Sequence, residues 1–134
     1  MSDSTLVLVA DDDQAMRNML GASLRRRGLE VDECRDGTEL LERLENLRRG
    51  DGQPGLVVSD LRMPDVSGLD VIHWIGRWLP EVPVILITAF GDAQTHKRAK
   101  ALGAAAVIDK PFDLAEFHEH VTRALGPVTN DEKG

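Results

Sequence analysis

The chain has 134 residues, which fits one domain, and its composition, 42% hydrophobic and 29% charged, is that of a globular protein and excludes a disordered one. A formal net charge of −7 argues against direct nucleic-acid binding, and no apolar run approaches the roughly 20 residues that span a bilayer, which argues against a membrane protein. One cysteine cannot form an intramolecular disulfide and no secretory signal opens the chain, so we expect a soluble cytoplasmic protein.

Short apolar runs alternate with amphipathic stretches along the chain. The first run, 6–10, lacks polar alternation, which is typical of a strand buried on both faces of a parallel sheet, whereas the second, 29–34, alternates like a strand near an edge. Three further strands are predicted at 56–59, 84–87 and 105–108. Apolar residues at helical spacing, with glycine or proline beyond the last turn, predict helices at 15–24, 40–47, 69–79, 92–102 and 114–125.

Five strands that each precede a helix predict an α/β domain built on a doubly wound parallel sheet. We assign this domain to residues 5–126 and predict flexible ends at 1–4 and 127–134. The sequence contains no linker-like or low-complexity segment inside the domain, so a single structural unit is expected.

Polar side chains follow four of the five predicted strands at the point where each strand ends. In chain order these are Asp11, Asp12 and Asp13 after the first strand, then Asp60, Thr88 and Lys110 after the third, fourth and fifth. Ligands of open parallel sheets bind beyond the carboxyl ends of the strands. We therefore expect these carboxylates, the hydroxyl and the ammonium group to converge on one edge.

A cluster of carboxylates at one edge requires a cation, because two such charges about 4 Å apart repel by about 4 kcal/mol at an effective dielectric constant of 20. Mg²⁺ suits carboxylates, water and phosphate oxygens. The alternative for the run Asp11, Asp12 and Asp13 is capping of the first helix, where carboxylates accept hydrogen bonds from free amides. Capping is favoured for Asp13, and the metal site for the other two.

Four stretches carry a specific family pattern: Leu-Val-Ala-Asp-Asp-Asp at 8–13, Val-Val-Ser-Asp-Leu-Arg-Met-Pro-Asp-Val-Ser-Gly at 57–68, Ile-Leu-Ile-Thr-Ala-Phe-Gly-Asp at 85–92 and Lys-Pro-Phe at 110–112. Together they resemble the receiver domain of two-component response regulators over roughly residues 5–126. The resemblance implies a flavodoxin-like fold: a five-stranded parallel sheet of strand order 2-1-3-4-5 with helices on both faces.

The resemblance also implies a chemical role for three of the strand-end residues. Asp60 would be the phosphoacceptor, taking a phosphoryl group from a sensor histidine kinase or a histidine phosphotransfer protein. Thr88 and Lys110 would each contact a phosphoryl oxygen, and the Lys110–Pro111 peptide bond would be cis. Such a protein is a signalling domain that assists its own phosphorylation and dephosphorylation, and we do not expect it to turn over a substrate as an enzyme.

The metal site implied by the resemblance holds Mg²⁺. Asp12 and Asp60 would be direct ligands, Asp11 would act mostly through water, and the main-chain carbonyl of Arg62 would be the third protein ligand. Neutralisation of equatorial phosphoryl oxygens by a metal and an ammonium group is what phosphoryl transfer requires.

Output is expected on the face formed by the fourth helix, the fifth strand and the fifth helix, with a phosphorylation-dependent dimer as one form of it. Most receivers carry an aromatic residue three positions before the lysine, where this chain has Val107. We favour a stand-alone receiver with an unidentified output protein. The alternative is the N-terminal receiver of a longer transcriptional regulator, because residues 88–92 resemble receivers of the nitrogen-regulatory type.

Two other protein classes share parts of this pattern. Haloacid-dehalogenase-like phosphatases use an aspartyl nucleophile after the first strand, and Asp11 to Asp13 fit that loosely, but a further acidic pair would have to follow Lys110. Flavodoxins bind a phosphate in the loop after the first strand, where a run of aspartates would repel it. Both alternatives are therefore less favoured than a receiver.

Overall fold

The computed structural model describes residues 5–89 and 91–126, so the ends predicted to be flexible lie outside the described residues. Five strands alternate with five helices, as predicted. In chain order they are β1 (Leu6–Ala10), α1 (Gln14–Arg26), β2 (Glu30–Cys34), α2 (Gly37–Arg49), β3 (Leu56–Asp60), α3 (Gly68–Trp78), β4 (Val84–Thr88), α4 (Ala93–Ala101), β5 (Ala106–Asp109) and α5 (Leu114–Leu125). No helix among these has the length and apolar character that crossing a membrane requires.

The strands form one parallel sheet in the order β2-β1-β3-β4-β5, which confirms the flavodoxin-like fold predicted from the sequence. The central strands β3 and β4 are buried along their whole length, which is why they are continuous apolar runs. In the edge strand β2 only Cys34 is fully buried, in agreement with the polar alternation there.

Two apolar layers sandwich the sheet. One layer combines Leu8, Val57 and Leu86 with buried residues of α2, α3 and α4; the other combines side chains of the opposite sheet face with α1 and α5. Phe117 of α5 is fully buried in the second layer. Burial of one large apolar side chain stabilises the fold by about 1.5–3 kcal/mol, so these layers hold the strand ends in fixed positions.

Aspartate or serine caps each of the five helices, and this decides where the helices begin. Asp92 was predicted to open the fourth helix, but its extended backbone and its hydrogen bond from the Thr95 amide make it the N-cap, so α4 begins at Ala93. The fifth strand also begins and ends one residue later than predicted, at Ala106–Asp109. These shifts leave the architecture unchanged.

Candidate functional site at the carboxyl edge of the sheet

The polar residues at the strand ends converge on one edge, as the sequence predicts. One carboxylate oxygen from each of Asp11, Asp12 and Asp60 lies within 4.8 Å of the others. The ammonium group of Lys110, which follows β5, lies 3.4 Å from Asp60 Oδ2 and 3.8 Å from Asp11 Oδ2. Thr88 is the last residue of β4, next to β3, and is buried.

Asp11 is a buried carboxylate with one oxygen left unbonded. Its Oδ1 accepts a hydrogen bond from the Asp13 amide at 2.9 Å, whereas Oδ2 is buried and has no hydrogen-bond partner in the part of the chain that the structure describes. Burial raises the pKa of the Asp11 carboxyl to about 6, although the hydrogen bond from the Asp13 amide acts in the opposite direction. A buried, unbonded oxygen of this kind is a ready position for a cation.

Asp60 is the last residue of β3, and its carboxylate is held on both sides. Oδ1 accepts a hydrogen bond from the Arg62 amide at 3.2 Å, and Oδ2 accepts one from Lys110 Nζ at 3.4 Å. Asp60 is largely buried, with 8% of its surface exposed. The arrangement places the Asp60 carboxylate directly beside the positive charge of Lys110.

The backbone of β4 and β5 carries Thr88 and Lys110 into the site together. The Lys110 amide donates to the Thr88 carbonyl at 2.8 Å, and the Lys110–Pro111 peptide bond is cis, which confirms that prediction. The positions of Thr88 and Lys110 are thus determined by two neighbouring strands of the same sheet.

The aspartate run after β1 divides into two roles. Asp13 is the N-cap of α1 and accepts a hydrogen bond from the Met16 amide at 3.2 Å. Asp11 and Asp12 precede the helix cap, and their carboxylates face Asp60 instead. Three carboxylates with one unbonded buried oxygen form a hard oxygen donor set, which fits Mg²⁺.

A family model for the response regulator receiver domain matches residues 7–122. The chain belongs to this family. The receiver domain is 38% identical over 129 residues to the DNA-binding transcriptional regulator NtrC of Azospirillum brasilense, an alignment that covers 96% of this chain and 26% of NtrC. The chain therefore spans about a quarter of the length of this curated relative.

Solved receiver structures share the fold. The non-phosphorylated HemR receiver domain of Leptospira biflexa is 32% identical, with a TM-score of 0.81 over 92% of this chain and 95% of that one. The beryllofluoride-activated NtrC4 receiver domain dimer is 29% identical, with a TM-score of 0.79 over 90% of this chain and 95% of that one. A non-phosphorylated receiver and a beryllofluoride-activated one thus share the architecture of this chain.

Sequence reasoning about this receiver missed a glycine that shapes the site. A Cβ at Gly68 would lie 2.8 Å from the Asp60 carbonyl oxygen and 2.9 Å from Leu61 Cα, so only glycine allows α3 to start this close to the end of β3. The Gly68 amide also donates to the Leu61 carbonyl at 2.8 Å. The motif at 57–68 ends on this residue, but its proximity to Asp60 depends on the folded chain.

Proposed function

We propose that this receiver accepts a phosphoryl group on Asp60 from the phosphohistidine of a sensor histidine kinase or a histidine phosphotransfer protein. One observation carries the proposal: at the carboxyl edge of the sheet, the Asp60 carboxylate lies 3.4 Å from the Lys110 ammonium group, and one of its oxygens lies within 4.8 Å of a carboxylate oxygen of each of Asp11 and Asp12. Membership of the receiver family supports it.

In the proposed reaction, a carboxylate oxygen of Asp60 forms a bond to phosphorus while the nitrogen–phosphorus bond of the phosphohistidine breaks. The electron pair of that bond stays with the imidazole nitrogen, which takes up a proton, and the product on Asp60 is an acyl phosphate. Lys110 pairs with one phosphoryl oxygen and the Thr88 hydroxyl donates to another. The Arg62 amide, which binds Asp60 Oδ1, keeps the carboxylate in one orientation.

The metal in this proposal is Mg²⁺. Asp12 and Asp60 would hold it directly, Asp11 mostly through water, and the main-chain carbonyl of Arg62 would be the remaining protein ligand. When bound, Mg²⁺ supplies positive charge that offsets the negative charge of the phosphoryl oxygens and of the carboxylates. The formal charges of Asp11, Asp12 and Asp60 sum to −3, and Mg²⁺ with Lys110 contributes +3.

The output of the receiver is proposed to be transcriptional control in the cytoplasm. NtrC is described as a DNA-binding transcriptional regulator, and this chain aligns with 26% of it. This relationship favours the alternative in which the receiver works with an output domain, over the stand-alone receiver that the sequence alone suggested. Any DNA contact would then belong to the output domain, and the structure of an activated NtrC4 receiver dimer favours dimerisation through phosphorylation.

Intact-mass analysis after incubation with acetyl phosphate and Mg²⁺ tests the proposal. Wild type should gain one phosphoryl group, whereas Asp60→Asn and a sample treated with a metal chelator should gain none. Asp70→Asn, a matched change at an exposed aspartate of α3, should be labelled like wild type. Equal labelling of wild type and Asp60→Asn, or repeated hydrolysis of a generic phosphoester, would refute the proposal.

A further inference from the structure

A buried arginine of α1 contacts the main chain of the acidic site. Arg17, in the first turn of α1, is one of six polar or charged residues among the described ones whose surface is almost wholly buried. Its Nη1 donates a hydrogen bond of 2.8 Å to the main-chain carbonyl of Asp11. The guanidinium group therefore reaches back from the helix to the residue that follows β1.

This contact completes the restraint of Asp11. The Asp11 amide donates to the Cys34 carbonyl at 3.3 Å, and the Asp11 Oδ1 atom accepts from the Asp13 amide at 2.9 Å. With the carbonyl held by Arg17, every polar atom of Asp11 makes a hydrogen bond except Oδ2, which lies 3.8 Å from Lys110 Nζ and has no hydrogen-bond partner among the described residues. The direction of that oxygen depends on the three contacts.

Glu33 of β2 supplies the charge that Arg17 needs in order to be buried. Its Oε1 lies 3.8 Å from Arg17 Nε, and its Oε2 accepts a hydrogen bond of 2.9 Å from Arg25. A Cβ at Gly21 would lie 2.5 Å from Glu33 Oε2, so α1 makes room for this carboxylate. An unpaired buried guanidinium would be strongly unfavourable, and Glu33 thus fixes Arg17 in place.

We propose that Arg17, held by Glu33, is a positioning residue that fixes the direction in which Asp11 Oδ2 faces the metal. This inference rests on the proposed Mg²⁺ site. It assigns a role to a residue that would contact neither the metal nor the phosphoryl group. The contacts from Glu33 to Arg17 and from Arg17 to Asp11 link β2, α1 and the end of β1. Outer contacts of this kind change metal affinity by about 10–100-fold when they are lost.

The sign of the effect separates positioning from simple electrostatics. Loss of a positive charge near a cation site favours cation binding, so Arg17→Gln would strengthen Mg²⁺ binding if only charge mattered. If Arg17 positions Asp11, the same substitution weakens Mg²⁺ binding despite the charge it removes. Arg17→Lys keeps the charge and a group that can donate to the Asp11 carbonyl, so it should retain part of the affinity.

Titration of the protein with Mg²⁺ tests the inference, with binding measured by calorimetry and by the amide chemical shifts at the strand ends. We expect Arg17→Gln to weaken binding by about tenfold or more, and Glu33→Gln, which removes the charged partner of Arg17 and leaves the hydrogen bond from Arg17 to Asp11 in place, to weaken it less. Arg26→Gln makes the same charge change at an exposed position of α1 and should bind like wild type. Circular dichroism at the titration temperature ensures that only folded protein is compared.

If Arg17→Gln folds, either of two results would overturn the inference. One is Mg²⁺ binding by Arg17→Gln that equals or exceeds that of wild type; the other is equal weakening in Arg26→Gln. If Arg17→Gln does not fold, unchanged binding by Glu33→Gln and Arg17→Lys also overturns it. Failure of wild type to bind Mg²⁺ would contradict the proposed function itself. If wild type binds Mg²⁺ and Asp12→Asn does not, the metal site is present, and the Arg17 variants then test the positioning role alone.

Discussion

At the scale of single residues, Asp11 stores unfavourable electrostatic energy in the folded protein. Burial raises the pKa of its carboxyl from 3.8 to about 6. The folded chain therefore binds more protons than the unfolded chain between about pH 4 and pH 6, and the free energy of unfolding falls as the pH rises through that range. Above it, the charged carboxylate is a net destabilising group unless a cation binds.

Asp11→Asn should therefore stabilise the metal-free protein at pH 7. The shift sets an upper limit of about 3 kcal/mol on the gain in the free energy of unfolding. Urea denaturation in the presence of a chelator measures it, and the gain should disappear below about pH 4, where both states carry a protonated Asp11. Asp12→Asn, at an exposed position, is the control and should change stability less. Destabilisation by Asp11→Asn at pH 7 would contradict this account of the site.

At the scale of elements, a chain of contacts joins the site to α4. The His96 ring nitrogen Nε2 lies 2.8 Å from Asp109 Oδ1, which links α4 to the end of β5. Gly91 packs between this pair and Thr88: a Cβ there would lie 2.8 Å from His96 Nε2 and 2.8 Å from the Thr88 methyl group. Movement of Thr88 toward a phosphoryl oxygen would disturb these contacts and so reach α4.

Thr88→Ala should leave phosphorylation of Asp60 largely intact but abolish the response of α4. The hydroxyl is the donor that phosphorylation would attract, and its loss removes the pull on the neighbouring loop. Amide exchange on α4, with and without a beryllofluoride mimic of the phosphoryl group, measures the response.

Val107→Ala should have the opposite effects to Thr88→Ala. Val107 is half-buried against the layer formed with α2, α3 and α4, and it is too short and too stiff at χ1 to act as a rotating aromatic switch. Val107→Ala should lower the free energy of unfolding by about 1–2 kcal/mol while α4 still responds to the mimic. If Val107→Ala silences α4 and Thr88→Ala does not, the signal leaves by another route.

The sequence predicts the helices and strands well because a parallel sheet produces a simple pattern of apolar residues. Strands buried on both faces are uninterrupted apolar runs, and ligands bind at their carboxyl ends, so Asp60, Thr88 and Lys110 could be grouped before the fold was known. Even α4, in which Ala99 is the one buried residue, could be located from the residues at its ends. Its first residue was wrong by one because a capping aspartate is adjacent to the helix in sequence.

The supports of the site could not be predicted, because they join residues that the sequence keeps apart. Arg17 looks like an ordinary helix arginine until its contacts with the Asp11 carbonyl and with Glu33 are seen. Gly68 and the pair formed by His96 and Asp109 likewise depend on the packing of separate elements against the sheet. Periodicity identifies buried faces but does not specify which polar atoms meet.

At the scale of the whole molecule, the fold and the metal should be coupled. A ligand that binds only the folded state stabilises it by mass action, by about 2.7 kcal/mol at a concentration one hundred times the dissociation constant. Mg²⁺ should therefore raise the Tm of wild type in a concentration-dependent way. Asp12→Asn should lose most of this increase, and Asp70→Asn should keep it. An equal increase in wild type and Asp12→Asn would place the bound Mg²⁺ elsewhere.

Asp60 is the residue that we propose carries the phosphoryl group. Borohydride reduction of the acyl phosphate after incubation with acetyl phosphate and Mg²⁺, followed by peptide mass spectrometry, locates the modified residue directly. We expect the reduced product at Asp60 and at no other aspartate. A reduced product at Asp11 or Asp12, with Asp60 left unmodified, would contradict this assignment.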